Sequence, residues 1–214
     1  HPILPLCDDL DRVTEVQWGL AVFERVFERA ADGIWLSETA VDLPTLETVA
    51  AAGVSFVILA PHQIAAFRDD TGAWCDATEA TSANRAFRIE LPSGRSISAL
   101  AYDGSTSRAV AFEGLLDDGG KFADRLIEAA DDTGLVVVAT DGESYGHHHT
   151  FGDMALSYAL DRIEASGEAR LTNAASWLEQ NPPSVEARIV DPSSWSCAHG
   201  VGRWSEDCGC RMDH

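Results

Sequence analysis

At 214 residues the chain is long enough to bury a sizeable core as one domain. Its 35 acidic residues outnumber 15 basic ones, for a formal net charge of −20. A surface of that sign repels nucleic acid and anionic membranes, so neither is expected as a partner. Lys121 is the single lysine and the acids are spread along the whole chain, a pattern that fits a solvated acidic surface suited to high salt better than one acidic binding face.

Residues 3–6 are a short apolar strand candidate. Val13, Val16, Leu20, Phe23, Phe27 and Ala30 then recur at gaps of three and four, which predicts one apolar stripe on a helix over 11–31. A short strand is expected at 33–36, and Asp42, Pro44 and Gly53 have the positions to start and stop the next helix. The run VSFVILA at 54–60 predicts a buried strand, and the polar stretch 69–84 a surface loop. Residues 86–91 and 96–102 flank Pro92-Ser93-Gly94 and predict a hairpin. Helices are expected at 106–116 and 121–131, a buried strand at 135–140, a helix at 151–165 and a weaker strand-and-helix unit over 170–180. From Pro182 the chain is rich in proline and serine, then in tryptophan, cysteine and histidine. Two regions are therefore expected: a partial barrel over 1–181 and a segment packed on it over 182–214. No apolar run reaches 18 residues, so no transmembrane helix is expected. No secretory signal is visible, and the five cysteines, an odd number, point to a reducing, cytoplasmic setting.

Alternating strands and helices imply a parallel sheet, doubly wound or closed as a barrel. No G-x-G-x-x-G follows a strand and there is no Walker lysine loop, which favours a barrel or part of one. Barrel enzymes gather their chemistry at the C-terminal ends of the strands. Applied strand by strand, that rule delivers Glu38, His62 with Gln63, Asp103 and Asp141 to one rim. A single acid at such a place is more often a helix cap; four converging polar ends suggest a site. Two carboxylates from separate strands meet the need of glycoside hydrolysis for a nucleophile and a proton donor. Gly142 lets the chain turn sharply behind Asp141, and Glu143 can raise the Asp141 pKa by repulsion. Trp35, Trp195 and Trp204 have the flat apolar faces that stack on sugar rings, or else they fill the core. His147, His148 and His149 are consecutive, so their side chains diverge; His147 is read as a sugar contact or structural residue before a metal ligand.

At these positions the sequence resembles glycoside hydrolase family 57. The segments that carry the likeness are GIWLSETAVD (33–42), VSFVILAPHQ (54–63) and ATDGESYGHHH (139–149), and HPILPL at the start is similar to the stretch after the family's second motif. AYDGSTSRAVAFEGLL and SWSCAHGVGRW point to one branch of family-57-like proteins. The resemblance implies an α/β fold, a parallel-stranded (β/α)7-type barrel incomplete at its N-terminal strands. It further implies a retaining hydrolase or glucanotransferase acting on α-glucans by double displacement, with no cofactor. The W-L-x-E motif puts the nucleophile at Glu38 and the D-G-E motif puts the acid/base at Asp141. The family's first two motifs have no counterpart here, Ser37 stands where proline or alanine is commoner, and the helical domain of larger members is missing. An oligo- or polysaccharide is the expected substrate, and an open sheet edge could pair with another copy. Two alternatives stand beside this: a zinc-dependent carbohydrate deacetylase using Asp141 and histidines, as in the related polysaccharide deacetylases, and a non-catalytic glycan-binding barrel fragment. The expected sugar contacts are Trp35, His62, Gln63, Asp103, Glu143, His147, Trp195, His199 and Trp204. Cys197, His199, Cys208 and Cys210 match the ligands of a structural zinc, although C-x-H-x8-C-x-C is not a standard finger; a disulfide or buried thiols are the other readings. Cys208 and Cys210 are too close in sequence to bridge without strain.

Overall fold

Pro5 removes a backbone donor and fixes its own φ, and the first apolar residues, Leu4–Leu6, form a 3-10 turn instead of the expected strand. The computed structural model describes residues 2–210, the side chains of 131–133 excepted, so His1 and the last four residues of the expected C-terminal segment lie outside it. Helix α1 (Asp9–Phe27) starts where the Asp8 carboxylate accepts from the Leu10 and Asp11 amides, and it ends at Glu28 in the left-handed region. It buries only Arg12 and Val16. Val13 and Phe27, both in the predicted stripe, are 41% and 60% exposed, because α1 packs on one neighbouring helix through a narrow strip. That neighbour is α2 (Leu43–Ala51), capped by Asp42 as expected.

The sheet contains β1 (Gly33–Ile34), β2 (Phe56–Leu59), β3 (Ile64–Arg68), β4 (Trp74–Asp76), β5 (Arg85–Glu90), β6 (Ser96–Ala101) and β7 (Glu186–Ile189), in the order β1-β2-β6-β5-β7-β3-β4. β1, β2 and β6 run parallel, with Val57 opposite Ala99. β5 and β6 form the predicted hairpin. β7 lies parallel to β5 and antiparallel to β3, and β4 closes that side antiparallel to β3. The parallel, barrel-type part of the sheet is thus confined to three strands and the rest is mixed. Within the stretch 69–84, expected as loop, lie β4 and α3 (Glu79–Ser82). Over 170–180 a helix forms, α7 (Ala174–Gln180), without the expected strand.

The run at 135–140 is the main departure. It lies outside the ladder, and its amides are met by side chains: Val137 N donates to Asn84 Oδ1 (3.0 Å) and Ala139 N to Ser107 Oγ (3.1 Å). A backbone bond from Asp103 N to Val137 O, at 2.7 Å, ties it to the chain just past the end of β6. The run therefore still follows the ends of β2 and β6, and it delivers Asp141 there.

Three apolar clusters hold these parts. The main one joins Leu46 and Val49 of α2 to Val57, Leu59, Phe87, Ile89 and Ile97 of the sheet. A second joins Val110, Phe122, Ala159 and Ile163, from α4 (Gly104–Phe112), α5 (Gly119–Thr133) and α6 (Gly152–Ser166). The third is small: Ala60, Tyr102 and Ala139, with Trp35 and Trp195 against them. It forms the floor beneath the strand ends. No described helix is long and apolar enough to cross a membrane.

Candidate active site

After β1 the chain enters a 3-10 turn, Ser37–Thr39, with Glu38 and Thr39 at φ 55° and 51°. Left-handed backbone at residues other than glycine costs of order 1–3 kcal/mol each and persists only where the surroundings over-determine it. Here they do. Thr39 O accepts from Gln63 Nε2 (2.8 Å), Thr39 Oγ1 accepts from Trp35 Nε1 (2.8 Å), and Glu38 O accepts from the Trp195 amide (3.2 Å). The turn aims the Glu38 carboxylate out of the sheet. Its Oε2 accepts from Trp195 Nε1 at 3.0 Å and Ser196 Oγ at 2.9 Å. The C-terminal segment thus grips one oxygen and fixes the plane of the other.

Asp141 opens the short turn Gly142–Ser144 and faces Glu38 across a cavity of about 280 Å3 lined by Trp35, Leu36, Ser37, Glu38, Thr39, Asp141 and Trp195. Partial burial holds the Asp141 carboxyl above the usual carboxylate range, and the Glu38 and Glu143 charges add to that while His148 opposes it. Trp35 and Trp195 meet edge to face, with ring centroids 5.3 Å apart at 90°. Glu143 shapes the same turn, its carbonyl accepting from the His147 and His148 amides.

The other expected contacts scatter. Gln63 is corrected: it is fully buried, and its amide is consumed by Ala60 N (2.9 Å), Thr39 O and Ser193 Oγ (3.0 Å), so it braces the turn and has no face for a ligand. Asp103 is corrected too: one oxygen caps α4 through Thr106 N (2.8 Å) and the other accepts from Asn84 Nδ2 (3.1 Å). His62, 3.1 Å from Ser194 O, lines an adjoining cavity of about 500 Å3 that shares Trp195 with the first. His147 is exposed with its ring against His148, and His149 Nε2 sits 2.9 Å from Ala111 O. His199 points at Cys210, 3.3 Å away, and belongs to the cysteine cluster instead of the cavity. Trp204 is half-buried at the end of the turn Gly202–Trp204 and lines neither cavity. Among the described residues, the metal-ligating group is Cys197, His199, Cys208 and Cys210; no such group includes Asp141 or a histidine of 147–149, as a zinc deacetylase would need. The sequence pattern does not single out Ser196: it lies next to Trp195, and no spacing rule points to a serine there.

A third cavity, about 560 Å3, is bounded by α5, α6 and the turn before α5. Of its two acids, Asp117 and Asp118, the second is spent capping α5, where the Lys121 and Gly120 amides hold its carboxyl below the usual range. It is lined by neither Glu38 nor Asp141.

An α/β sheet with barrel-type parallel strands, and two carboxylates with two tryptophans on one cavity at the strand ends, are the arrangement expected of a carbohydrate-active barrel domain. The model of glycosyl hydrolase family 57 matches residues 1–187, and the chain belongs to that family. Among solved structures it is similar to a 4-alpha-glucanotransferase from Thermococcus litoralis, with a TM-score of 0.69 at 18% identity over 90% of this chain and 29% of that one. It is also similar to a family 57 branching enzyme from Thermococcus kodakaraensis, with a TM-score of 0.67 at 18% identity over 90% of this chain and 48% of that one. The alpha-amylase AmyC from Thermotoga maritima follows with a TM-score of 0.54 at 17% identity, over 87% of this chain and 48% of that one. At this identity the likeness is one of fold, and the chain spans less than half the length of each of these proteins. A search of curated proteins by sequence found no match.

Proposed function

We propose that the chain acts on α-glucans as a retaining glycoside hydrolase or glucanotransferase, with Glu38 as nucleophile and Asp141 as acid/base. The single observation that carries this reading is the shared cavity, on which both carboxylates and Trp35 and Trp195 meet. The names of two structural neighbours, a 4-alpha-glucanotransferase and a branching enzyme, support the substrate class.

The chemistry divides between the two acids. Glu38, with Oε2 tied to Trp195 and Ser196, attacks the anomeric carbon through Oε1. Asp141 enters the reaction protonated, which its raised pKa favours, and gives that proton to the departing glycosidic oxygen. Once the glycosyl ester has formed, Asp141 is a base. It takes a proton from water for hydrolysis, or from an acceptor sugar hydroxyl for transfer, and the oxygen so activated displaces Glu38. The tryptophan faces stack on the apolar faces of the pyranose rings.

The test is to trap the intermediate. Incubation with 5-fluoro-α-glucosyl fluoride, followed by peptide mapping, is expected to find the sugar esterified to Glu38 and to find none in Glu38→Gln. Asp141→Asn is expected to lose about 10²–10⁴-fold in kcat/KM on α-glucans and much less in kcat/KM on glycosyl fluorides, whose leaving group needs no proton, while kcat falls on both because the ester is broken down without its base. A label on another carboxylate, or full turnover by Glu38→Gln, overturns the assignment.

A further inference from the structure

The last described turns of the chain bring four metal-binding side chains to one point. Cys197 Sγ lies 3.8 Å from both Cys208 Sγ and Cys210 Sγ, and Cys210 Sγ lies 3.3 Å from His199 Nδ1. All four ligand atoms are within 4.8 Å of one another, and the thiols are free. A tetrahedral zinc with Zn–S bonds of about 2.3 Å has sulfur–sulfur edges of about 3.8 Å, so the two sulfur pairs already have the spacing of a bound ion. The backbone is shaped for this. Gly209, at φ +78°, turns the chain between Cys208 and Cys210, and a Cβ on Gly202 would stand 3.3 Å from Cys208 Cβ and 3.4 Å from His199 Cβ.

The cluster is continuous with the grip on Glu38. Cys197 directly follows Trp195 and Ser196, which hold the Glu38 carboxylate, and Ser194 Oγ closes the loop by donating to Gly200 O at 2.7 Å. We propose that Cys197, His199, Cys208 and Cys210 bind one structural zinc ion, and that this ion fastens the 194–210 segment so that Trp195 and Ser196 stay on Glu38. Three thiolates and an imidazole select zinc over hard cations, and four protein ligands leave no open position, which is the signature of a structural site. Binding releases the three thiol protons to solvent. The metal site stands without the proposed function; its importance for Glu38 as a nucleophile rests on that function.

The test uses the whole chain and does not read turnover. Protein purified under reducing conditions is expected to carry one zinc per chain, and cobalt substitution to produce the strong visible and thiolate charge-transfer bands of a tetrahedral cobalt–sulfur site. Cys7→Ser and Cys75→Ser keep the metal; Cys208→Ser with Cys210→Ser loses it. Chelation is expected to speed amide exchange in peptides over 194–204 and 37–41 by about tenfold or more while α5 and α6 keep their protection. Should the double variant fail to fold, metal content and the cobalt spectrum of the unaltered chain still decide. A chain that retains no zinc and gives no cobalt–thiolate bands overturns the site. Unchanged exchange at 37–41 on zinc removal overturns the hold on Glu38. Neither outcome depends on whether Glu38 carries a glycosyl group.

Discussion

Asp141 shows how far one residue's chemistry is set by its neighbours. Partial burial, then Glu38, then Glu143 raise its pKa. Glu143→Gln removes one repulsion, so the pKa falls, and the basic limb of kcat/KM, which reports the acid in the free enzyme, moves to lower pH. A pH–rate profile checks the direction, and a limb moved to higher pH rules out repulsion as the cause. Stability has the opposite dependence to that of a paired carboxylate. A carboxyl with a raised folded-state pKa binds its proton more tightly in the fold than in the open chain. Its contribution favours the fold in acid and is lost as pH rises through the folded value. Asp141→Asn is therefore expected to melt at or above the parent temperature at neutral pH while losing activity. Gln63 teaches the reverse lesson. A polar residue at a strand end looks like a ligand contact in sequence, yet its amide here holds three groups of the protein. Gln63→Ala leaves buried partners at about 1–3 kcal/mol each. A loss on the order of 3 kcal/mol, read as a fall in Tm of about 6–12 °C for a chain of this size, is expected from thermal unfolding. A change under one degree would show that water takes its place.

At the scale of elements, apolar patterning located most helices and the long strands but not the ladder itself. The hairpin β5–β6 was legible because its two runs flank a proline–serine–glycine turn. β7 was not, because the four residues Glu-Ala-Arg-Ile are too short to show a period, and their partners on β3 are more than a hundred positions earlier. The run at 135–140 misled in the other direction. Its β-branched residues describe a buried strand, but Asn84 and Ser107 satisfy two of its amides in place of a neighbouring backbone. Asn84 does this from the left-handed region, φ 59°, where asparagine is better tolerated than most residues, while its Nδ2 holds the Asp103 cap. One side chain thus ties the start of α4 to the segment that presents Asp141. Asn84→Ala is expected to cost about 2 kcal/mol through the unmet Val137 amide and the strained backbone. It should also speed amide exchange at Val137 ahead of global unfolding. Equal protection in parent and variant would show that the segment is held by its apolar contacts alone.

For the molecule as a whole, charge and site are one problem. A net charge of −20 over 214 residues opposes compaction everywhere, and the described ion pairs are mostly exposed, as at Arg29–Asp32 and Arg108–Glu113, where each contributes little. Stability must then come from the apolar clusters, and salt must help by shortening the range of repulsion. Raising sodium chloride from 0.1 to 1 M takes the Debye length from about 10 to about 3 Å, and Tm is expected to climb steadily over that range. The same screening reaches the exposed rim of the cavity. It weakens the repulsion of Glu38 and Glu143 on Asp141 but leaves the effect of burial, so the basic limb of kcat/KM is expected to drift downward in pH as Tm rises. Paired measurements across one salt series test both at once. A Tm that falls with salt would mean that attractive pairs dominate the surface. A limb that stays put while Tm climbs would mean that burial alone sets the Asp141 proton.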